Sequence, residues 1–144
     1  MKKGRSNNTS SPHDDVSLPR AKILRGRKNF KRLFEQDAHI CHSRYVDLRF
    51  QIIDYHSFGC LMGFIVKKSL GKANKRNKMK RLLKEAYRHH QYMLRDVLAD
   101  MQLTFHGALM AQRVDLTYAD VEQDVVSLLS HVRDQLPTIA SGNP

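Results

Sequence analysis

Tryptophan is absent, cysteine occurs twice and proline four times in 144 residues, and 14 acidic side chains face 25 Lys and Arg. Each shortage removes a class of protein. Cys41 and Cys60 stand in no CxxC or zinc-like spacing, so the chain reads neither as a disulfide scaffold nor as a zinc module, and both thiols are expected as small core residues in a reducing compartment. No apolar run approaches the roughly 20 residues of a membrane-spanning helix. The N-terminus, MKKGRSNNTSSPHDD, has the basic start of a signal peptide without its apolar segment, which predicts a cytoplasmic chain with no membrane partner. There is no Gly-rich phosphate loop, HExxH or GxSxG, and AHICH, with His39 and His42 around Cys41, lacks further ligands at a spacing that would complete a metal site. No catalytic residue, bound metal or small-molecule substrate is expected of this chain. A single domain of this length buries roughly two-thirds of its unfolded surface and needs no staple.

What is present is positive charge, and it is polarised. The net charge is +11. Residues 1–66 carry 12 basic and 6 acidic side chains, residues 67–95 carry 11 and 1, and residues 96–144 carry 2 and 7. A field concentrated in this way predicts a polyanionic partner.

Residues 1–19, rich in Ser, Asn and charge, read as a disordered arm, residues 20–137 as one α+β domain, and residues 138–144 as a flexible tail. RKNFKRLFEQDA places Phe30, Leu33 and Phe34 at i, i+3, i+4 and predicts a short helix. RYVDLRFQIID alternates strictly, a strand with Val46, Leu48, Phe50 and Ile52 on the buried face. YHSFG supplies a turn. CLMGFIV, residues 60–66, is apolar throughout, as a central strand covered on both faces would be, and Gly63 within it marks a bulge or a close approach. Helical spacing then runs from Ala73 to about Ala99, LTFHGALMA (103–111) predicts another strand, and a capping box at Thr117 and Asp120 opens a last helix that stops at Pro137. A further short strand is expected near residues 39–42.

At about 100° per residue, Met79, Leu82, Leu83, Ala86 and His90 fall on one arc of the long helix, facing the sheet. Asn77, Lys80, Arg81, Lys84 and Arg88 fall on the opposite arc. Solvated helix faces mix signs for i, i+4 support, and here only Glu85 does so. Each turn advances about 5.4 Å, so the stripe can meet several phosphates, and the forks of Arg76, Arg81 and Arg88 suit bidentate contact. Nucleic acid is the partner this predicts; a membrane-surface helix would need the apolar face that the sheet occupies.

GFIVKKSLGKANKRNKMKRLLKEAYR resembles the protein subunit of bacterial ribonuclease P, whose motif is a glycine-ended strand, a Lys-rich turn with Gly, and A-x-x-R-N-R-x-K-R on a helix. Gly63, Val66, Lys68, Gly71, Ala73, Arg76, Asn77, Lys80, Arg81 and Arg88 match it, and LRGRKNFKRLFEQ resembles the family's opening basic helix, so the likeness runs over residues 20–136. Lys78 departs from the third position of the triplet, and the turn reads Val66-Lys67-Lys68-Ser69. The resemblance implies a small mixed four-stranded sheet packed with three helices, in the order α-β-β-β-α-β-α, with a left-handed βαβ crossover, a fold similar to domain 2 of ribosomal protein S5.

The resemblance also implies a task. In that family the catalytic centre and its magnesium ions belong to a large RNA, and the holoenzyme hydrolyses a phosphodiester bond to remove the 5′ leader of precursor tRNA; the polypeptide assists. Its implied partners are ribonuclease P RNA and precursor tRNA. Lys67, Lys68, Lys72, Arg76, Asn77, Lys78, Lys80, Arg81 and Arg88 are the implied contacts to the catalytic RNA. Phe30, Phe34, Tyr45, Lys80 and Lys84 are the implied lining of a cleft for the single-stranded leader. Aromatic faces stack unpaired bases without reading sequence, while neighbouring cations hold the backbone. Spacing alone favours Phe30 and Phe34 as core residues, since an i, i+4 apolar pair usually packs inward. The alternative function is a structural, ribosomal-type RNA-binding protein, which accounts for the charge but not for an aromatic cleft.

Overall fold

Alternating apolar and polar side chains are buried on one side only when the chain is extended. In the computed structural model, which describes residues 16–35, 37–53 and 59–140, such a segment is β2 (Val46–Ile53), with Val46, Leu48 and Phe50 buried. It lies in a four-stranded sheet with β1 (His39–His42), β3 (Gly59–Val66) and β4 (Thr104–Ala111), in the spatial order β1-β2-β4-β3. β2 is antiparallel to β1 and β4, whereas β3 runs parallel to β4, so the sheet is mixed. Helix α1 (Arg27–Arg32) precedes β1, α2 (Ala73–His90) and α3 (Tyr92–Met101) connect β3 to β4, and α4 (Tyr118–Ala140) follows β4.

One face of the sheet carries the main core. Val46, Leu48, Phe50, Met62, Val66, Phe105 and Leu109 meet Met79, Leu83 and Tyr87 of α2, Leu94 and Leu98 of α3, and Val121, Val125, Leu129 and Val132 of α4. Phe50 and Phe105 stack with ring centroids 5.0 Å apart. Each such side chain stabilises the fold by roughly 1.5–3 kcal/mol through lost apolar surface. The opposite face has a second, smaller core of Leu24, Leu33 and Ala108, with Phe30, Leu61 and Ile65 packed on it, and α1 lies there.

Four expectations change. β3 is covered on both faces, but it is an edge strand; its outer edge is closed by the N-terminal segment, where Ile23 bridges to Met62 and the Leu24 N–H donates to the Met62 carbonyl at 3.0 Å. The single long helix is two, because Gln91 sends its side-chain amide to the carbonyls of Arg88 (3.1 Å) and Ser17 (2.8 Å) at the junction of α2 and α3. Tyr87, within α2, is buried, while His90 reaches α4 and bonds Glu122. α4 runs on through Pro137 to Ala140, since the missing proline N–H falls in the last turn and Leu136 and Ile139 hold that turn to the core. The arm expected to end at residue 19 is already docked at residues 16–18, through the Val16 and Ser17 carbonyls and the Leu18 side chain. Residues 1–15 and 141–144, and the expected turn except Gly59, lie outside the described residues.

Candidate nucleic-acid interface

Helix α2 opens without an acidic residue in its first turn and without a side-chain cap. Cations at a helix N-terminus oppose the dipole, so Lys72, Lys75 and Arg76 concentrate positive potential where orphan N–H groups already attract anions. Arg76 is half-buried and its Nε donates to the Gly71 carbonyl at 3.0 Å, tying the helix to the preceding loop. Gly71 itself sits against Val114: a β-carbon there would lie 3.1 Å from its Cγ2. Lys67, Lys68, Lys72, Asn77, Lys78, Lys80, Arg81 and Lys84 are exposed. Among the described residues none of these cations is in an ion pair.

Arg88 differs from the rest of the expected stripe. Its Nε and Nη2 bond the two Glu85 carboxylate oxygens at 3.0 and 2.6 Å, and its Nη1 donates to the Val16 carbonyl at 3.2 Å. The Arg88 hydrogen bond holds the Glu85 carboxyl down at about 2 against the opposing effect of burial, with a further hydrogen bond from His89 adding to it. The free positive face therefore ends near Lys84.

Lys80 and Lys84 share a flank of α2 with Tyr87, at i, i+4 and i+7. Tyr87 is buried beside β3, its hydroxyl 3.1 Å from Cys60 Sγ, so this flank stands next to the β3 edge. Burial pushes the Cys60 thiol up to about 11 and raises Tyr87 as well, so both stay neutral at physiological pH.

On the α1 face, register aligns Ile40, Arg49, Ala108 and Gly63 across all four strands. Small residues at 108 and 63 admit Leu33 and the Phe30 ring beneath α1. Phe34 projects beyond them, 47% exposed, with the Arg49 guanidinium 4.5 Å from its ring centroid and Arg49 Nη1 donating to the Leu33 carbonyl at 3.3 Å. Ile40 is 43% exposed beside Arg49. The neighbouring acid, Asp47, is occupied by His42 Nδ1 (2.9 Å) and Gln112 Nε2 (2.7 Å). His106, on the same face, is shifted down by burial and then by the charge of Arg32 on α1. This face offers an open aromatic, a guanidinium and an apolar side chain, with both oxygens of its carboxylate hydrogen-bonded.

Tyr45 is elsewhere. It precedes β2, four residues and about 13 Å from Arg49, with Arg44 and Arg113 guanidinium carbons 4.9 and 5.7 Å from its ring centroid. Asp124 of α4 accepts the backbone N–H groups of Tyr45 and Val46 at 2.5 and 3.1 Å and so fixes this turn. Because Val46, Ala111 and Val66 lie side by side in the sheet, Arg44–Tyr45, Arg113 and Lys67–Lys68 all emerge at one end of it. The structure thus packs Phe30 between α1 and the sheet, leaves Phe34 exposed just beyond α1, places Tyr45 beside the loop before α2, and sets Lys80 and Lys84 beside β3. Arg44, Arg49 and Arg113 were not among the expected contacts, since isolated arginines carry no signal until register assembles them. His39 stacks on Phe50 at 5.0 Å, and among the described residues no group of three or more His, Cys, Asp or Glu could hold a metal ion.

The chain is similar to known proteins in sequence and in fold. Residues 18–133 match the family described as Ribonuclease P. The "Ribonuclease P protein component" of Porphyromonas gingivalis is 31% identical over 88 residues, covering 60% of this chain and 64% of that protein. Its counterpart in Chlamydia trachomatis serovar L2 is 35% identical over 74 residues, covering 51% and 60%. The matches therefore span less than two-thirds of either relative. Among solved structures, the Staphylococcus aureus RNase P protein superimposes with a TM-score of 0.60 at 22% identity, covering 77% of this chain and 94% of that one. The RNase P protein of Thermotoga maritima gives 0.58 at 21% identity, covering 76% and 96%. At such identities these structures show a shared fold.

Proposed function

This chain belongs to the ribonuclease P protein family, and from that membership we propose that it is the protein subunit of a bacterial, cytoplasmic ribonuclease P that removes the 5′ leader from precursor tRNA. The exposed, unpaired cations from Lys67 to Lys84 bind the ribonuclease P RNA. Phe34 and Arg49 on the α1 face take the single-stranded leader, which continues toward Tyr45 between Arg44 and Arg113 and is flanked by Lys80 and Lys84. Phe30 supports this surface from below. A guanidinium over an exposed ring is a platform on which a base can stack while the backbone is neutralised, without sequence readout.

The observation that carries the reading is the juxtaposition of the two surfaces, one of free cations on α2 and one aromatic on the far side of the sheet. A protein that only binds folded RNA has no use for the second. In this reading phosphodiester hydrolysis belongs to the RNA, where magnesium ions would supply the Lewis acidity. The polypeptide holds the substrate and screens the repulsion between the two RNAs. The test is processing of precursor tRNA by the cognate catalytic RNA at low magnesium, with and without this chain. Stimulation of leader removal is expected; equal rates would refute the proposal.

A further inference from the structure

The N-terminal segment reaches α1 by a path fixed at its start by two side chains far away in sequence. Arg88, oriented by both Glu85 oxygens, has Nη1 left for the Val16 carbonyl, and Gln91, only 4% exposed, donates to the Ser17 carbonyl. From there the chain places Leu18 on the main core, passes through a 3-10 turn (Arg20–Lys22), closes the β3 edge at Ile23 and Leu24, and turns at Gly26 into α1. α1 itself is six residues long with none fully buried, too short to hold its own position. Its seat depends on Leu24 and Leu33 at either end.

We infer that Arg88 and Gln91 form a latch that holds segment 16–24 and so sets the position of α1, and that Arg88 serves as a positioning residue and not as an RNA contact. The functional half of this inference rests on the proposed leader-binding face; the structural half does not. The latch also links the helix carrying the RNA-binding stripe to the opposite face of the sheet.

Three variants of the full chain test it: Arg88→Ala, Arg88→Lys and Gln91→Met, the last keeping side-chain volume while removing the donor. Hydrogen exchange of the free protein is read at the Leu24 amide, which bonds Met62, with the Leu109 amide in the central strand β4 as control. Loss of the latch should speed exchange at Leu24 about tenfold and leave Leu109 protected. Unchanged exchange at Leu24, or equal acceleration at Leu109, would overturn the latch. In the holoenzyme, the ratio of precursor to mature tRNA affinity should fall by a factor of about three to ten, with the salt dependence of catalytic-RNA binding unchanged. Lysine separates the two roles, because it keeps the charge but cannot grip Glu85 and reach Val16 together. The latch makes Arg88→Lys as defective as Arg88→Ala; a phosphate contact would leave it near wild type and lower the salt slope of the alanine variant alone. If wild-type protein shows no leader-dependent affinity, the leader reading fails while exchange at Leu24 still decides the latch.

Discussion

A β-carbon on residue 63 would lie 2.4 Å from Cε1 of Phe30, so the aromatic ring fills the space that any side chain on β3 would claim. The glycine in an otherwise apolar strand is there for the ring above it. Gly63→Ala should destabilise the fold by about 1–3 kcal/mol, as overpacking does, and loosen α1 while leaving the main core intact. Adding Phe30→Ala should recover part of that loss, and a double-mutant cycle by thermal unfolding measures the coupling. Strictly additive effects would mean that the ring does not rest on residue 63 in solution.

Phe30 and Phe34 should separate cleanly under truncation. Phe30→Ala empties a site bounded by Leu24, Leu33 and Ala108 and should lower the melting temperature. Phe34→Ala removes an exposed ring and should barely alter unfolding, yet cost about 1–3 kcal/mol in precursor tRNA binding by the holoenzyme. Mature tRNA should bind Phe34→Ala as well as wild type. Equal losses for both tRNA forms would place the leader elsewhere.

Arg81 and Arg76 are both expected contacts to the catalytic RNA but are held differently. Arg81→Ala should reduce the log-log salt slope of RNA binding by roughly 0.7–0.9 without touching stability. Arg76→Ala should also destabilise the fold by about 1 kcal/mol, because its Nε bonds the Gly71 carbonyl. Salt titrations beside denaturant melts distinguish them.

Glu85 gives a pH signature. Its carboxyl is held near 2, chiefly by the Arg88 hydrogen bond, against an ordinary value of 4.5. A folded value below the unfolded one contributes stability that is complete above about pH 4.5 and disappears as the pH falls toward 2. Since Glu85 is 45% exposed, solvent screens the pair and the contribution is small. Carboxyl titration by NMR should find Glu85 well below its normal range, and Arg88→Ala should return it toward 4.5. A midpoint unmoved by that substitution would show that Arg88 does not hold the carboxylate.

Local chemistry was legible in the chain; long-range placement was not. The Thr117–Asp120 box forms reciprocally, Thr117 N–H to Asp120 Oδ2 at 3.1 Å and Asp120 N–H to Thr117 Oγ1 at 3.2 Å, because both partners sit within one turn. β2 followed from its alternation and the face of α2 from its period. The edge position of β3 could not be read, since a strand buried on both faces has the same apolar pattern whether or not a second strand flanks it. His90 was expected inward and Tyr87 was not, because helical phase orders residues around the axis without showing which element packs on each side, and here Tyr87 meets Cys60 of β3 while His90 meets Glu122 of α4. In the same way, Arg88 belongs to the stripe by helical phase, and only the neighbouring Val16 carbonyl reveals a second use. Tyr45, Arg44 and Arg113 come together through strand register, a property of pairs of strands and of neither strand alone.

The closing of the β3 edge by Ile23 and Leu24 sets an order of events on the ribosome. Segment 16–34 leaves the exit tunnel first, but its seats, Met62 on β3 and Ala108 on β4, are made long afterwards, and the parallel partner of β3 is complete only at Ala111. Non-local pairing of this kind is slow and leaves early segments waiting. α1, the first α-helix among the described residues, can thus be seated only after α2, α3 and both of these strands have emerged. A nascent chain therefore carries its cationic helix before it owns the proposed surface for single-stranded RNA, so under the proposed function attachment to the large RNA can begin during synthesis, whereas substrate binding must wait until β4 is complete.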